Sequence, residues 1–341
     1  MFDALAQRLL PLLQLTRMAL VFTAIADSYA TAIMLRHVPE YVATSGNPLA
    51  PRRMLAIAAV SIGLYGFGMS LNDIIDRRRD RQIATHRPLP SGRIGVITAH
   101  VACGICLLMA LGGCAYYWSI IRDWRCLLFV LIAHALIWFY DVAGKYLVPL
   151  GFITLGLIRF FHCLVPVPSI PVLWHPLLLF NHVAILSAIA YSWEQKRPPL
   201  GKMHVLIIAL GIALIDAVVI TAYGTYRGHG DPIEAFRQDP SMRWNNWLLL
   251  PIAAVFVYIA IGALIRWRTP GLRDAGQKLV LYGLLWLIIY DGCFVFAYVG
   301  WWEGLMMLLF FPASWLMVQV LRWWSKVVSI SQKPAFKRVR A

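Results

Sequence analysis

The chain has 341 residues, with 31 lysines and arginines against 16 aspartates and glutamates; 60% of it is hydrophobic and only 14% is charged. A soluble domain carries about 25% charged residues, so a water-soluble enzyme is excluded. The net charge of +15 does not point to nucleic acid either, because the basic residues stand between apolar runs and at the C-terminus and form no soluble basic domain.

A run of roughly 20 apolar residues crosses the hydrocarbon core as a helix, which satisfies its own backbone hydrogen bonds there. Ten such runs follow one another, over residues 12–35, 54–71, 94–118, 124–140, 150–167, 176–193, 203–223, 247–265, 278–300 and 304–321. They predict an all-α polytopic bundle of nine to ten helices, a single membrane unit over 1–325, with a basic tail over 326–341. The first run is too long for a signal peptide and has no small-residue cleavage site, so it is read as a retained span. The six cysteines lie in or beside apolar runs without a CxxC pair and are read as free core thiols. With ten spans both termini share a side, and the loops on that side hold 21 lysines and arginines against 8 on the other. By the positive-inside bias both ends are cytoplasmic, in the plasma (inner) membrane if the cell is prokaryotic. Arg17 and Arg159 fall inside spans, where a charge is costly enough to suggest function.

The cytoplasmic loop after the second run reads Asn72, Asp73, Ile74, Ile75, Asp76, Arg77, Arg78, Arg79, Asp80. On a helix continuing past the membrane surface, acids at i, i+3 and i+7 share one face. Converging hard oxygens suit Mg²⁺, which completes its shell with water and substrate phosphate. The plainer alternative is a solvated helix end whose acids pair with the neighbouring arginines. The acids are followed by Arg87, Pro88, Leu89, Pro90, Ser91, Gly92 and Arg93.

NDxxDxxxD followed by RPLPSG resembles the first signature of the UbiA-type membrane prenyltransferases, of which the 4-hydroxybenzoate polyprenyltransferases are examples. Leu15, Thr16 and Arg17 look like that family's first-helix arginine motif. Tyr140, Asp141 and Lys145, then Gly151, Gly156, Leu157 and Arg159, look like its fourth-to-fifth-helix segment. The likeness covers roughly the first 200 residues. It implies a bundle with a central cavity open to the cytoplasmic side, in which an isoprenyl diphosphate is bound through Mg²⁺, ionises, and passes its prenyl group to a small, aromatic acceptor. Asp73, Asp76 and Asp80 are then expected to hold the metal and Asn72 to position a phosphate or a metal-bound water, while Lys145 and Arg17 meet the phosphate oxygens and Arg159 assists from deeper in its span.

The family's second acidic motif is thin here. Its place reads Tyr191, Ser192, Trp193, Glu194, Gln195, Lys196, Arg197. Either Glu194 holds a second Mg²⁺, or Lys196 or Arg197 acts as an electrostatic clamp in its stead, or Glu194 only caps a helix end. Asp27, Tyr140, Asp141 and Tyr191 are candidates for the acceptor side of the cavity, and Phe67, Phe139 and Phe160 for its aromatic walls.

Asp27, Asp216 and Asp291 stand near the bilayer midplane, where acids are rare. In an enzyme they could orient an acceptor or steady a carbocation; in a transporter they could carry protons or sodium; otherwise they are neutral acids bridging helices. His134, His162 and His182 lack ligand spacing and read as core histidines. The 224–246 loop is given no function, and the tail suits anionic lipid. The leading reading is Mg²⁺-dependent prenyl transfer, with a transporter or a noncatalytic prenyl-lipid binder as rivals. The partners expected are an isoprenyl diphosphate, a small acceptor and the bilayer, with no nucleic acid. Acceptor, chain length and oligomeric state are not readable from the residues.

Overall fold

The computed structural model describes residues 2–85, 87–166, 172–238 and 249–331. From residue 332 on the predicted basic tail lies outside them, as does 239–248 of the long loop. The described residues are mostly helical and contain no strand. In chain order the helices are α1 (Phe2–Leu15), α2 (Val21–Met34), α3 (Pro39–Ser45), α4 (Pro51–Ile75), α5 (Arg77–Ile83), α6 (Val96–Ile121), α7 (Arg125–Val142) and α8 (Val148–Leu164). There follow α9 (Trp174–Trp193), α10 (Lys202–Arg227), α11 (Pro232–Gln238), α12 (Leu249–Arg268), α13 (Leu272–Tyr298), α14 (Trp301–Leu308) and α15 (Phe310–Ser331).

Eight helices among the described residues are long and apolar enough to cross a membrane. Leu9–Leu15 and Met18–Met34, bent by 64° to one another, make a ninth when taken as one span, and α8 is a shorter, mainly apolar helix of 17 residues. Each predicted run is therefore helical, and the chain is an integral, multi-pass membrane protein. The first run is not the straight span its composition suggests. Arg17 adopts a left-handed backbone, φ 48° and ψ 40°, a conformation that costs a non-glycine residue about 1–2 kcal/mol and turns the chain into a short 3₁₀ stretch, Met18–Leu20.

Lipid gives no hydrophobic drive for helix to meet helix, so close packing and polar contacts must hold a bundle together. Gly63 of α4 supplies one close approach of backbone to backbone: a Cβ there would lie 2.5 Å from the Ala110 nitrogen and 2.7 Å from the Cys106 carbonyl of α6. Gly156 of α8 likewise lets the Phe180 carbonyl of α9 within 2.6 Å of where a Cβ would stand. Around these contacts Ile57, Leu64, Phe67, Cys114 and Val130 form one core, and Phe160, Leu164, Phe180, Leu287 and Tyr290 form a second. All six cysteines are free, and five are buried. Phe67 and Phe160 thus serve packing and not a tunnel wall, whereas Phe139 is exposed. α10 and α12 are peripheral and leave Leu206, Leu210, Leu214, Phe256 and Ile259 uncovered, as a lipid face requires.

Candidate diphosphate site

α4 does not run on through the acidic loop. It ends at Ile75, Asp76 caps it, and α5 resumes at Arg77. The Asp80 N–H still donates to the Asp76 carbonyl at 2.8 Å across the junction, so the predicted one-sided face survives the break. Asp73, Asp76 and Asp80 all point inward and are buried.

Each acid meets cations brought from elsewhere in the chain. Arg17, at the bend of the first span, reaches Asp73 at 3.3 Å. Lys145, in the turn between α7 and α8, donates to Asp76 at 2.7 Å and lies 3.8 Å from Asp141. Arg79 donates to the other Asp76 oxygen at 2.8 Å. Arg87 donates to Asp73 at 3.3 Å and also to Asp80. Asn72 donates to Asp141 at 2.7 Å, tying the end of α4 to the end of α7. The pairing with arginines that the sequence left as an alternative is therefore present. Among the described residues no three His, Cys, Asp or Glu side chains are grouped as a metal site.

Local chemistry explains why Arg87 arrives there. RPLPSG folds as a tight turn: the Ser91 N–H donates to the Arg87 carbonyl at 3.0 Å, the Ser91 hydroxyl donates to the Pro88 carbonyl at 3.1 Å, and Gly92 takes φ +74°. Leu89 and Ile94 on either side of the turn pack with Leu15 and Ala99, with Leu12 and Ile74 against them. That small core joins the ends of α1 and α4 to the start of α6 and holds the turn over the carboxylates. Arg87 is the residue that sequence reasoning passed over. Its signal was its place at the head of the turn, seven residues beyond Asp80.

The cations and acids differ in accessibility. The side chains of Arg17, Arg79 and Arg87 are 40%, 52% and 30% exposed, against 3% or less for the acids they meet. These guanidiniums border solvent while the acids do not. The donor set, three buried carboxylates with an amide and a fourth acid behind them, has the hard-oxygen chemistry of a divalent cation completed by phosphate.

The other predicted residues lie in separate places. Glu194 caps α9, its N–H bonded to the Ala190 carbonyl at 2.8 Å, and its side chain pairs with Lys196 at 2.8 Å. Arg197 is exposed, and the Tyr191 hydroxyl donates to the Pro198 carbonyl at 2.9 Å. Among the described residues no ion pair links this segment to the first cluster. Tyr140 is half-buried beside Asp141.

Arg159 is also apart from the loop. It donates to Asp27, and to the Thr23 hydroxyl at 3.1 Å. Asp291 meets His175 at 2.8 Å. His162 joins Ser28 and Ser61 at 3.3 and 3.1 Å, a core histidine with its partners. His175 was missed because it precedes the apolar run of its helix. The His134 Nδ1–H donates to the Val130 carbonyl of its own helix, 2.8 Å away, and the His182 Nε2–H donates to the Gly283 carbonyl at 3.0 Å. Asp216 receives the Asn181 amide at 3.0 and 3.1 Å in a groove of about 320 Å³ lined by Leu177, Ile220, Pro251 and Phe294.

No family model matches the sequence, and no curated protein sequence does. Solved structures do match. A structure of digeranylgeranylglyceryl phosphate synthase aligns over 86% of this chain and 99% of its own, at 17% identity and a TM-score of 0.51. A UbiA homolog from Archaeoglobus fulgidus bound to GPP and Mg²⁺ covers 91% of this chain and 99% of its own at 15% identity, with a TM-score of 0.42. The same homolog bound to DMAPP and Mg²⁺ gives 94%, 99%, 16% and 0.41. The weight rests on the first likeness, and at such identity it speaks for architecture. The chain has the fold of the UbiA-type membrane prenyltransferases.

Proposed function

We propose that the protein transfers an isoprenyl group from an isoprenyl diphosphate to a small, aromatic acceptor, in a Mg²⁺-dependent reaction at the cytoplasmic face of the membrane. The observation that carries this reading is the meeting of Asp73, Asp76 and Asp80 with Arg17, Arg87 and Lys145, drawn from four separate segments to one buried place at the end of α4. A bundle of apolar helices has no structural need to bury three acids at one mouth, whereas a diphosphate with its metal needs both signs of charge there.

In this reading Asp73, Asp76 and Asp80, with Asn72 beside them, hold Mg²⁺, and Glu194 with Lys196 and Arg197 serves the second motif. When bound, the ion neutralises the charge that gathers on a departing diphosphate. Arg17, Arg87 and Lys145 exchange their carboxylate partners for phosphate oxygens, the arginines by planar bidentate contact. The bond between the allylic carbon and oxygen breaks with both electrons leaving on the diphosphate. The acceptor's electron-rich atom then bonds that carbon, and the proton displaced from it passes to water or the diphosphate. Fixed cations near the leaving group favour this step because their charge is already oriented. Tyr140, Asp141 and Tyr191 are assigned to the acceptor side.

The transporter reading drew on three midplane acids. Asp27 and Asp291 are engaged with Arg159 and His175, while Asp216 belongs to a peripheral groove with Asn181, so no shared path favours it. The test is release of diphosphate from radiolabelled isoprenyl diphosphates by the purified protein, with and without Mg²⁺. Metal-dependent release that Asp73→Asn and Asp76→Asn abolish is expected. Solute flux that tracks Asp216 and ignores the loop acids overturns the reading.

A further inference from the structure

Asp216 stands near the middle of α10, about 21 Å of helix from Lys202 and about 16 Å from Arg227 at 1.5 Å per residue. It is partly accessible, and it lines a groove of about 320 Å³ walled by α9, α10, α12 and α13. On α9 the groove takes Trp174, Leu177 and Asn181, spaced three and four residues apart on one face; Val255 of α12 and Phe294 of α13 complete the wall. All the lining residues but Asp216 and Asn181 are apolar or aromatic.

The state of Asp216 is legible from its neighbour. Asn181 Nδ2 donates to the Leu177 carbonyl at 2.9 Å; the amide oxygen in that place would meet a second acceptor, so the orientation of the amide is fixed. The same nitrogen reaches both Asp216 oxygens, at 3.1 and 3.0 Å. Both oxygens therefore accept, as those of an ionised carboxylate do, whereas a neutral acid carries a hydrogen to donate. Among the described residues no lysine, arginine or histidine pairs with Asp216. One amide is a poor counterpart for a full charge in hydrocarbon, and a carboxylate placed there calls for a partner of opposite sign.

We propose that this groove binds a small lipophilic amine in its ammonium form, with the nitrogen on Asp216. An ammonium group brings the positive charge that Asn181 lacks, and its N–H groups meet carboxylate lone pairs that one amide nitrogen leaves unused. Trp174 and Phe294 suit the same ligand, because aromatic rings attract a cation and also pack against hydrocarbon. Volume sets the size. A dry cavity of about 150 Å³ takes one benzene ring, so a groove of about 320 Å³ takes two fused rings with a short amine arm. Asp216 repels an anion, and a polyhydroxylated solute finds only two polar partners. None of the lining residues belongs to the acid cluster at the end of α4, so the site stands whatever the mouth binds.

The test uses naphthalen-1-ylmethylamine and two neutral probes of like shape, naphthalen-1-ylmethanol and 1-ethylnaphthalene. Each is dialysed at pH 7 against the full-length protein in phosphatidylcholine nanodiscs, with uptake by protein-free nanodiscs subtracted. Saturable binding of the amine is expected, about tenfold or more tighter than either neutral probe. Asp216→Asn, which keeps the shape and removes the charge, should erase that preference and leave 1-ethylnaphthalene unchanged. Val255→Trp, which fills the groove and spares Asp216, should weaken the amine and the hydrocarbon alike. The wild-type series and the Val255 variant decide the matter even where Asp216→Asn does not fold. An alcohol or hydrocarbon bound as tightly as the amine, an amine preference that survives Asp216→Asn, or amine binding indifferent to Val255→Trp overturns the proposal, as does the absence of saturable binding.

Discussion

Two charged clusters sit in the same helical bundle, and they are built on opposite terms. At the mouth, buried acids meet arginines that are a third to a half exposed, each with room to turn. In the interior, Arg159, Asp27, Asp291 and His175 are all closed off, and every cation or ring already faces its acid. An ion pair that can dissolve into solvent contributes little to stability but can exchange partners; one locked away cannot exchange and is costly to break. The contrast separates charges that are free to change partners from charges that hold helices together.

The largest effect should come from splitting the inner cluster. Arg159→Leu leaves Asp27 without its cation and is expected to cost about 3–5 kcal/mol, read as a lowered thermal midpoint in detergent. Adding Asp27→Leu should recover most of that loss, and additive losses instead would show that the pair is not the unit. Next is the mouth: Asp73→Asn, whose partners Arg17 and Arg87 keep solvent, should reduce diphosphate release about 10²–10³-fold with the midpoint nearly unchanged. A matching fall in stability would move Asp73 into the structural class. Arg17→Ala removes a charge-assisted contact of about 1.5–3 kcal/mol, so KM for the diphosphate should rise tenfold or more while thermal stability holds. The smallest change is expected for Arg79→Ala. That half-exposed partner of Asp76 should alter stability by about 1 kcal/mol or less, and a larger drop would erase the distinction between the clusters.

The spans were legible because lipid imposes a length and a composition that no other environment demands, and the acid triad was legible because helical spacing places 73, 76 and 80 on one side even across a break. The bend at Arg17 was not legible: nothing in Leu15, Thr16, Arg17 signals a left-handed backbone, which is sustained by Asp73, 56 residues away. The inner cluster was half visible. Asp27, Asp291 and Arg159 stood out as charges in apolar runs, but their pairing crosses 132 residues in one case and 116 in the other. Such contacts belong to the packing of helices and leave no trace in local spacing. Arg87 was hidden for a related reason, since its role depends on how Leu89 and Ile94 dock the turn that carries it.

One consequence follows from the unequal lengths of the helices. Val148–Leu164 and Met18–Met34, which start beside Lys145 and Arg17, are short enough to rise only about 25 Å, whereas the outer Val96–Ile121 and Lys202–Arg227, each of 26 residues, rise about 39 Å. Both short helices begin beside those two cations, so Lys145 and Arg17 enter the acid cluster from helix starts and neither charge has to be carried on a side chain in the middle of an apolar span.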